Sequence, residues 1–578
     1  MPSISYIFSR LSTFFLTGCF IVGSCSAEPI AEKDLPKNKL TGETLFQIIA
    51  SEFALQRNDP STAYQTYMEV ARKTKDPRLA QRAFQIADAA HAFHEAKAAS
   101  DLWVDFSPNG YEEANFSSLL ARLRTGDLSD NNKKEAIRLL NKQKSRQERE
   151  MKFESIAIQA ELGTNDAKKV LDFVIPLATT CENKGLAALM LGKLYRRAGD
   201  RSQSLHYSKI AYTDLPNSSS AALEYADALI QTQQAQAVKV LENFVSKHPE
   251  NLDVQLGLAK AYARTRNSEG VKKQLPILDP YSKRSATLSF SLATIADAVA
   301  LDIETKRFLM QFERLAIEHS TMIDRLPQTY FSLGLLDFRQ KHYSAAIEWF
   351  NKVDSQSEFF ARARVLQARS LERNGEFKKA IDLLEDTKVN PNIKAEILLE
   401  QSQIYYNQKD LSNAYKKIKK ALELTPNNPG IIAQTALLAS DLGENEHAIE
   451  LLREGINKFP QRADFYNTLG YLLINNNQNL EEAGQLLNKA IELEPNNYAI
   501  QDSLGWYYFK VQNYELAKRY LEEAAKNNSD NEILMHLAEL YYVTKNQSGF
   551  DEIIEKIRQS KDHSEEVLKF FKRFDLTY

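Results

Sequence analysis

The chain has 578 residues, of which 43% are hydrophobic and 26% charged, and its formal net charge is −3 at pH 7. This is the composition of an ordinary folded protein, and the near-neutral charge argues against nucleic acid as the main partner, because phosphate binding needs a basic surface. Only 20 glycines and 17 prolines occur, which favours a mostly helical fold because both residues weaken helices.

Residues 1–27 have the pattern of a signal peptide. Arg10 supplies a positive charge, and Leu11 to Val22 form an apolar run that is shorter than a membrane-spanning helix requires. The pattern therefore predicts export from the cytoplasm.

Two processing sites compete at the end of this segment. Val22-Gly23-Ser24-Cys25 resembles a bacterial lipobox, which predicts lipid attachment at Cys25. The residue after the cysteine is Ser26 rather than the Asp that retains a lipoprotein at the inner membrane, so this alternative implies the periplasmic side of the outer membrane. Cleavage after Ala27, which gives a soluble periplasmic protein, is the second alternative, and an uncleaved anchor is the third.

The segment that follows changes from a tether to helical repeats. Residues 28–41 are polar and contain two prolines, which predicts a flexible tether. Residues 42–275 show degenerate helical repeats of the tetratricopeptide type. Their first helix is predicted over 43–56, with Leu45, Ile48, Ile49 and Phe53 on one face.

A basic segment lies within these degenerate repeats. Residues 133–152 hold eight basic and three acidic side chains. We interpret the segment as a solvated helix face, with a patch for a partner protein or for lipid headgroups as the alternative.

The second half contains the clearest repeat. After a longer, irregular unit over 276–327, residues 328–530 form a regular array whose alanines recur at steps of 34 or 35 residues: Ala346, Ala380, Ala414, Ala448, Ala483 and Ala517. This is the helix–turn–helix period of the tetratricopeptide repeat (TPR). Small residues such as Gly470 and Ala483 are expected where paired helices cross, because backbones approach within roughly 8–10 Å there.

The repeat predicts the fold class as all-α, a tetratricopeptide-repeat α-solenoid superhelix. Residues 531–578 are predicted to form capping helices, because a terminal unit must present a polar outer face.

Such a solenoid offers its concave face, lined by the first helix of each pair, to a partner. Aromatic rings supply contact area, Arg binds carboxylates and Asn pairs with main-chain amides. Counting from the Leu-Gly landmark of each repeat predicts these residues in the groove: Phe331, Phe338, Arg339, Arg362, Arg369, Arg373, Tyr406, Asn407, Asn467, Tyr471, Asn475, Asp502, Trp506 and Phe509.

The sequence contains no recognisable catalytic arrangement. It has no nucleophile elbow, no glycine-rich phosphate loop and no His-Glu-x-x-His pair. His91 and His94, next to Glu95, come nearest to a metal motif, and we interpret them as exposed or capping residues because further ligands are missing. The prediction is a noncatalytic protein without a metal, cofactor or small-molecule substrate.

The first hundred residues carry a more specific pattern, which reads Gly42-Glu43-Thr44-Leu45, Gln56-Arg57-Asn58, Thr74-Lys75-Asp76-Pro77 and Arg82-Ala83-Phe84-Gln85-Ile86-Ala87. Together with the lipobox and the full-length repeats, this block resembles a family of proteobacterial tetratricopeptide outer-membrane lipoproteins. The family is similar to the lipoprotein partner of a periplasmic carboxyl-terminal processing protease. The resemblance implies an adaptor that holds the protease and delivers substrates, including cell-wall hydrolases.

Two other functions stay open at this stage. One is an assembly factor for outer-membrane or pilus components, which recovery of assembly machinery without a protease would favour. The other is the tetratricopeptide arm of a peptidoglycan-active enzyme, which would need a folded nonhelical domain of more than about 80 residues.

Overall fold

The computed structural model describes residues 30–37, 41–387, 391–560 and 564–577. In these ranges all regular structure is helical, with 31 α-helices and two short 3₁₀ turns, Glu32–Asp34 and Ile323–Arg325. The predicted signal peptide, with Cys25, lies outside the described residues. None of the helices in the described ranges combines the length and hydrophobicity that crossing a bilayer demands.

The chain divides between Gln311 and Phe312 into two compact units. Helices of the first unit are α1 (Gly42–Gln56), α2 (Pro60–Thr74), α3 (Pro77–Ala89), α4 (Phe93–Phe106), α5 (Glu112–Arg124), α6 (Asp130–Lys142), α7 (Arg146–Gly163), α8 (Ala167–Ala178), α9 (Lys184–Arg197), α10 (Arg201–Asp214), α11 (Ser219–Leu229), α12 (Gln234–Lys247), α13 (Leu252–Arg264), α14 (Ser268–Ser282) and α15 (Ala286–Asp297). The division falls within the next helix, α16 (Asp302–Glu318).

Helices of the second unit are α17 (Leu326–Arg339), α18 (Tyr343–Asn351), α19 (Phe360–Arg373), α20 (Phe377–Asp386), α21 (Pro391–Asn407), α22 (Leu411–Leu424), α23 (Pro429–Asp441), α24 (Asn445–Lys458), α25 (Ala463–Asn475), α26 (Leu480–Leu493), α27 (Tyr498–Lys510), α28 (Tyr514–Asn527), α29 (Asn531–Val543), α30 (Gln547–Gln559) and α31 (Glu565–Arg573). Consecutive helices pack as pairs, beginning with α17 on α18 and α19 on α20.

The turn inside each pair repeats with the sequence period. A residue in the left-handed region ends the first helix at steps of 33 to 35 residues: Lys341, Gly375, Lys409, Gly443, Asn477, Gln512 and Lys545. A left-handed residue stops a helix because its backbone turns the chain out of the hydrogen-bond ladder. The 34-residue period is therefore a period of backbone conformation, and it extends past residue 530 into the predicted cap.

Small residues occupy the helix crossings, as predicted. All six alanines of the register are 0% exposed. A Cβ atom built on Gly334 would lie 2.5 Å from the ring of Phe350, and one built on Gly470 would lie 3.2 Å from the carbonyl oxygen of Ala483. Larger side chains at these glycines would force the paired helices apart.

The structure corrects the predicted buried face of α1 and places residue 276 inside a helix. In α1 the buried apolar side chain is Ile48, whereas Ile49 and Phe53 are 44% and 56% exposed. Because α1 packs on α2, a narrow apolar face is enough to form its contact with that helix. The irregular unit predicted from residue 276 begins inside α14, which continues through Pro276 and Pro280.

Candidate protein-binding face

The first helices of successive pairs lie side by side in the second unit. α19 packs against both α17 and α21, and α23, α25, α27 and α29 follow one another in the same way. Each first helix is therefore enclosed by its pair partner and its neighbours, and only a narrow stripe of side chains reaches solvent. That stripe is the surface for which the groove residues were predicted.

The predicted groove residues divide by exposure into three groups. Seven are exposed: Arg339, Arg362, Arg369, Arg373, Tyr406, Asn407 and Asn475. Four are half-buried: Phe338, Asn467, Tyr471 and Phe509. Phe331, Asp502 and Trp506 are buried, so these three belong to the packing between repeats and not to an open groove.

α19 presents three arginines in three different settings. Arg369 makes a two-pronged contact with Glu400 of α21, with Nε to Oε1 at 2.8 Å and Nη2 to Oε2 at 2.7 Å. The hydrogen bonds with Glu400 raise the pKa of Arg369. Arg362 lies over the ring of Phe331, 5.2 Å from its centroid. Arg373, at the end of the helix, is exposed.

Phe331 holds Arg362 in place from below. Its ring centroid lies 5.5 Å from that of Phe359 and 6.1 Å from that of Phe350. The guanidinium thus rests on an aromatic cluster that is fixed by packing, and this contact is a cation–π interaction. Buried Phe331 is a support for the exposed face.

α21 continues the face with polar groups. The Asn407 amide donates to Glu372 of α19 at 2.6 Å and accepts from Gln403 at 3.0 Å. Burial, together with neighbouring Asp441 of α23, raises the pKa of Tyr406. These contacts tie the exposed tips of α19, α21 and α23 to one another.

At α27 two of the three predicted groove positions are buried instead of exposed. They pack against His536, a histidine that the sequence analysis did not single out. His536 of α29 places Nδ1 3.0 Å from both carboxylate oxygens of Asp502, and its ring stacks on Trp506 at 4.1 Å between centroids. Phe509 stacks on the same indole at 4.9 Å. His536 lies 34 residues after Asp502, which is one repeat period. The period could therefore have predicted this contact between equivalent positions of adjacent repeats.

Tyr471 lies beside this cluster. Its hydroxyl donates to Glu532 of α29, and burial together with that carboxylate raises the pKa of Tyr471. One turn earlier in α25, the side-chain oxygen of Asn467 is buried and has no hydrogen-bond partner among the described residues.

Residues that could indicate metal binding or a charged binding patch do not come together into a site. Within the described ranges, no cluster of three or more His, Cys, Asp or Glu side chains could hold a metal ion. His91 occupies a left-handed turn with a φ of 56°. In the basic segment 133–152, six of the eight cations pair with carboxylates: Lys133, Arg138, Lys142, Arg146, Arg149 and Lys152. These pairs support a solvated helix face.

Comparisons with known families agree with the repeat. Residues 220–251, 395–428, 434–498 and 503–549 match models described as tetratricopeptide repeat. The matched ranges correspond to α11–α12, α21–α22 and the helices from α23 to α29. Together with the all-helical structure, they confirm the predicted all-α tetratricopeptide-repeat fold class.

The similar proteins include one that is named for the same repeat. The TPR repeat-containing protein PA4667 of Pseudomonas aeruginosa is 25% identical over 508 residues, which are 86% of this chain and 82% of that protein. DnaJ homolog subfamily C member 3 of Gallus gallus is 26% identical over 236 residues, 38% of this chain and 46% of its own. A solved structure of the APC/C hetero-tetramer Cut9-Hcn1 is 14% identical and covers 81% of this chain and 96% of its own, with a TM-score of 0.30, which is too low to bear on function.

Proposed function

We propose that this chain is a noncatalytic scaffold of the bacterial cell envelope that binds proteins on the exposed stripe of its first helices. In this proposal it tethers a periplasmic carboxyl-terminal processing protease and presents substrates, such as cell-wall hydrolases, to it. The observation that carries the proposal is the row of Arg, Tyr and Asn side chains exposed on α17, α19, α21 and α25. Arg and Tyr are enriched among residues that dominate protein interfaces.

Contacts that orient two side chains of this row support a binding role. Arg369 and Asn407 are fixed by contacts to Glu400 and Glu372 of neighbouring first helices. Side chains that are already ordered lose less conformational entropy on binding, which favours affinity. The relative from Pseudomonas aeruginosa, which aligns over 86% of the chain, supports the assignment to a bacterial protein of this general type.

The experiment that tests the proposal is site-specific photo-crosslinking in living cells. A photoreactive residue replaces Tyr406 or Asn475, which are exposed on first helices, and in parallel replaces Glu450 or Lys489, which are exposed on the second helices α24 and α26. We expect the first-helix positions to crosslink to a processing protease or its substrates, and the second-helix positions to yield much less product.

Two outcomes would contradict this proposal. Crosslinks confined to the second-helix positions would move the binding surface to the opposite side of the repeats. Recovery of outer-membrane or pilus assembly machinery without any protease would replace the adaptor by an assembly factor. Mass spectrometry of the crosslinked bands separates these results.

We further propose that the protein is attached to the outer membrane through a lipid on Cys25. The support is the run Val22-Gly23-Ser24-Cys25 at the end of the predicted signal peptide. We expect Cys25→Ala to move the protein from the membrane fraction to the soluble periplasm, because a lipid anchor is lost. Ser24→Ala, which keeps the cysteine, serves as the control. An unchanged distribution of Cys25→Ala, with a mature chain that starts at Glu28, would show that the signal is cleaved after Ala27.

A further inference from the structure

The exposed stripe of α19 consists almost entirely of arginine. The helix buries Ala361, Ala363, Gln367, Ala368, Ser370 and Leu371, and its exposed positions are Arg362, Arg369 and Arg373. Steps of seven and four residues place these three within about 40° of one another around a helix of 3.6 residues per turn. In a protein whose net charge is −3, this is a local concentration of positive charge on a face that the fold leaves open.

The carboxylates near this stripe neutralise it only in part, through the charges of Glu400 and Glu372 that act on Arg369. Glu400 accepts hydrogen bonds from Arg369, and Glu372 accepts a hydrogen bond from Asn407. Arg362 contacts the Phe331 ring, and neither Arg362 nor Arg373 has a carboxylate partner among the described residues. Two guanidinium groups therefore remain without a paired carboxylate in the part of the chain that the structure describes.

Arg369 keeps donors for a second acceptor. Its Nε and Nη2 bind Glu400, whose side chain is only 6% exposed, while the arginine side chain is 48% exposed. A guanidinium has five N–H groups, and Nη1 has no acceptor among the described residues. Glu400 thus orients the arginine and leaves part of its hydrogen-bonding capacity for a ligand.

We propose that the arginine stripe of α19 binds an acidic, extended segment of a partner protein through carboxylate–guanidinium contacts at Arg362, Arg369 and Arg373. This inference rests on the proposed function and names the chemistry of the partner. The stripe is about 16 Å long at 1.5 Å per helical residue, a length that an extended peptide spans in about five residues. Half-buried Leu366 lies between the arginines and provides a small apolar contact for the peptide backbone.

The test uses the full mature chain and a fluorescein-labelled peptide of about eight alternating Glu and Ala residues, followed by fluorescence anisotropy. The matched peptide carries Gln in place of Glu. We expect the Glu peptide alone to bind, and its affinity to fall as salt screens the charges. Arg362→Ala with Arg373→Ala should weaken binding about tenfold, because two charge-assisted contacts are removed.

The control variant removes the same charge elsewhere on the same hairpin. Lys378 and Lys379 are exposed on the second helix, α20, and do not belong to the stripe, so Lys378→Ala with Lys379→Ala should leave the affinity within about twofold, because salt screens charges that do not contact the peptide. Equal weakening by both double variants would overturn the proposal, as would equal binding of the Gln peptide or no binding of the Glu peptide. Tighter binding of phosphatidylglycerol vesicles or of a single-stranded oligonucleotide than of the Glu peptide would also overturn it.

Failure of this inference can be told apart from failure of the scaffold. If the arginine variant keeps its first-helix crosslinks in cells while the Glu peptide does not bind, acid recognition is wrong and the scaffold stands. If the Glu peptide binds through the arginines but no protein is crosslinked from first helices, acid recognition stands and the adaptor proposal is wrong.

Discussion

Gly163→Ala should destabilise the first unit by about 3 kcal/mol, a large effect for the addition of one methyl group. Gly163 ends α7, and a Cβ atom built there would lie 1.9 Å from the carbonyl oxygen of Leu123 in α5. The obstacle is backbone, so no side-chain rotation can remove the clash. α5 would have to move, together with the buried Leu123 and Phe153 that pack in the same cluster.

The control for this prediction is the same substitution in open space. A Cβ atom on Gly42, the first residue of α1, meets no atom within 4 Å. Gly42→Ala should therefore be neutral or slightly stabilising, because alanine has the higher helix propensity. The two variants change the chain by the same atoms, so they isolate the cost of the close approach.

Hydrogen exchange is the suitable measurement, because repeat proteins need not unfold in a single step. We expect amides of α5 and α7 to lose protection in Gly163→Ala, while amides of α23 to α29 in the second unit keep theirs. Protection in α5 and α7 that equals the wild type would mean that the two backbones are farther apart than the structure places them.

The regular array was predictable because one residue type marks one place in every repeat. Alanine recurs where paired helices cross, and each alanine of that register is fully buried. Between α5 and α8 the same method has no such marker. There the close approach joins Gly126 to Gly163, two glycines 37 residues apart that share no register with the alanines.

Groove residues were less predictable, because repeat position alone does not determine exposure. Asn467, Asp502 and His536 occupy the same position in three consecutive repeats, at steps of 35 and 34 residues. Asp502 is nevertheless buried, because the next repeat supplies a histidine that bonds to it. Exposure at a groove position therefore depends on the side chain that the following repeat presents, which a single-repeat template does not include.

For the arginines of α19, the position in the repeat predicted exposure correctly. All three stay exposed although α17 and α21 contact two of them, at Arg362 and Arg369. Sequence alone did not show that Glu400 orients Arg369 or that Phe331 supports Arg362. Each contact joins two residues that lie 31 positions apart in adjacent repeats. To predict it, one must know how adjacent first helices align.

The buried Asp502–His536 pair leads to the second large prediction. His536→Leu should destabilise the packing of α29 on α27 by about 3–5 kcal/mol, since it leaves the Asp502 carboxylate buried without its donor. Asp502 and His536 are 6% and 8% exposed, so water cannot readily replace the lost hydrogen bond. A carboxylate only accepts hydrogen bonds, which assigns the proton at Nδ1 to the histidine.

Comparison with a double variant separates the charge from the packing. Asp502→Leu with His536→Leu also loses the stack on Trp506, which the single variant loses as well, but it leaves no buried charge. Replacing both members of a buried pair by apolar groups is often close to neutral. We therefore expect the double variant to be more stable than His536→Leu. The second substitution should restore part of the free energy of unfolding that the first one removes.

Arg453→Leu provides the reference for an exposed ion pair. Arg453 binds Glu482 at 2.8 Å between α24 and α26, and its side chain is 56% exposed, so its loss should cost about 0.5 kcal/mol. Urea denaturation measures all three variants, together with hydrogen exchange of α27 and α29 for the two His536 variants and of α24 and α26 for Arg453→Leu. If the double variant were as unstable as His536→Leu, the free energy would reside in the Trp506 stack and not in the hydrogen bond to Asp502, because the stack is the contact that both variants lose.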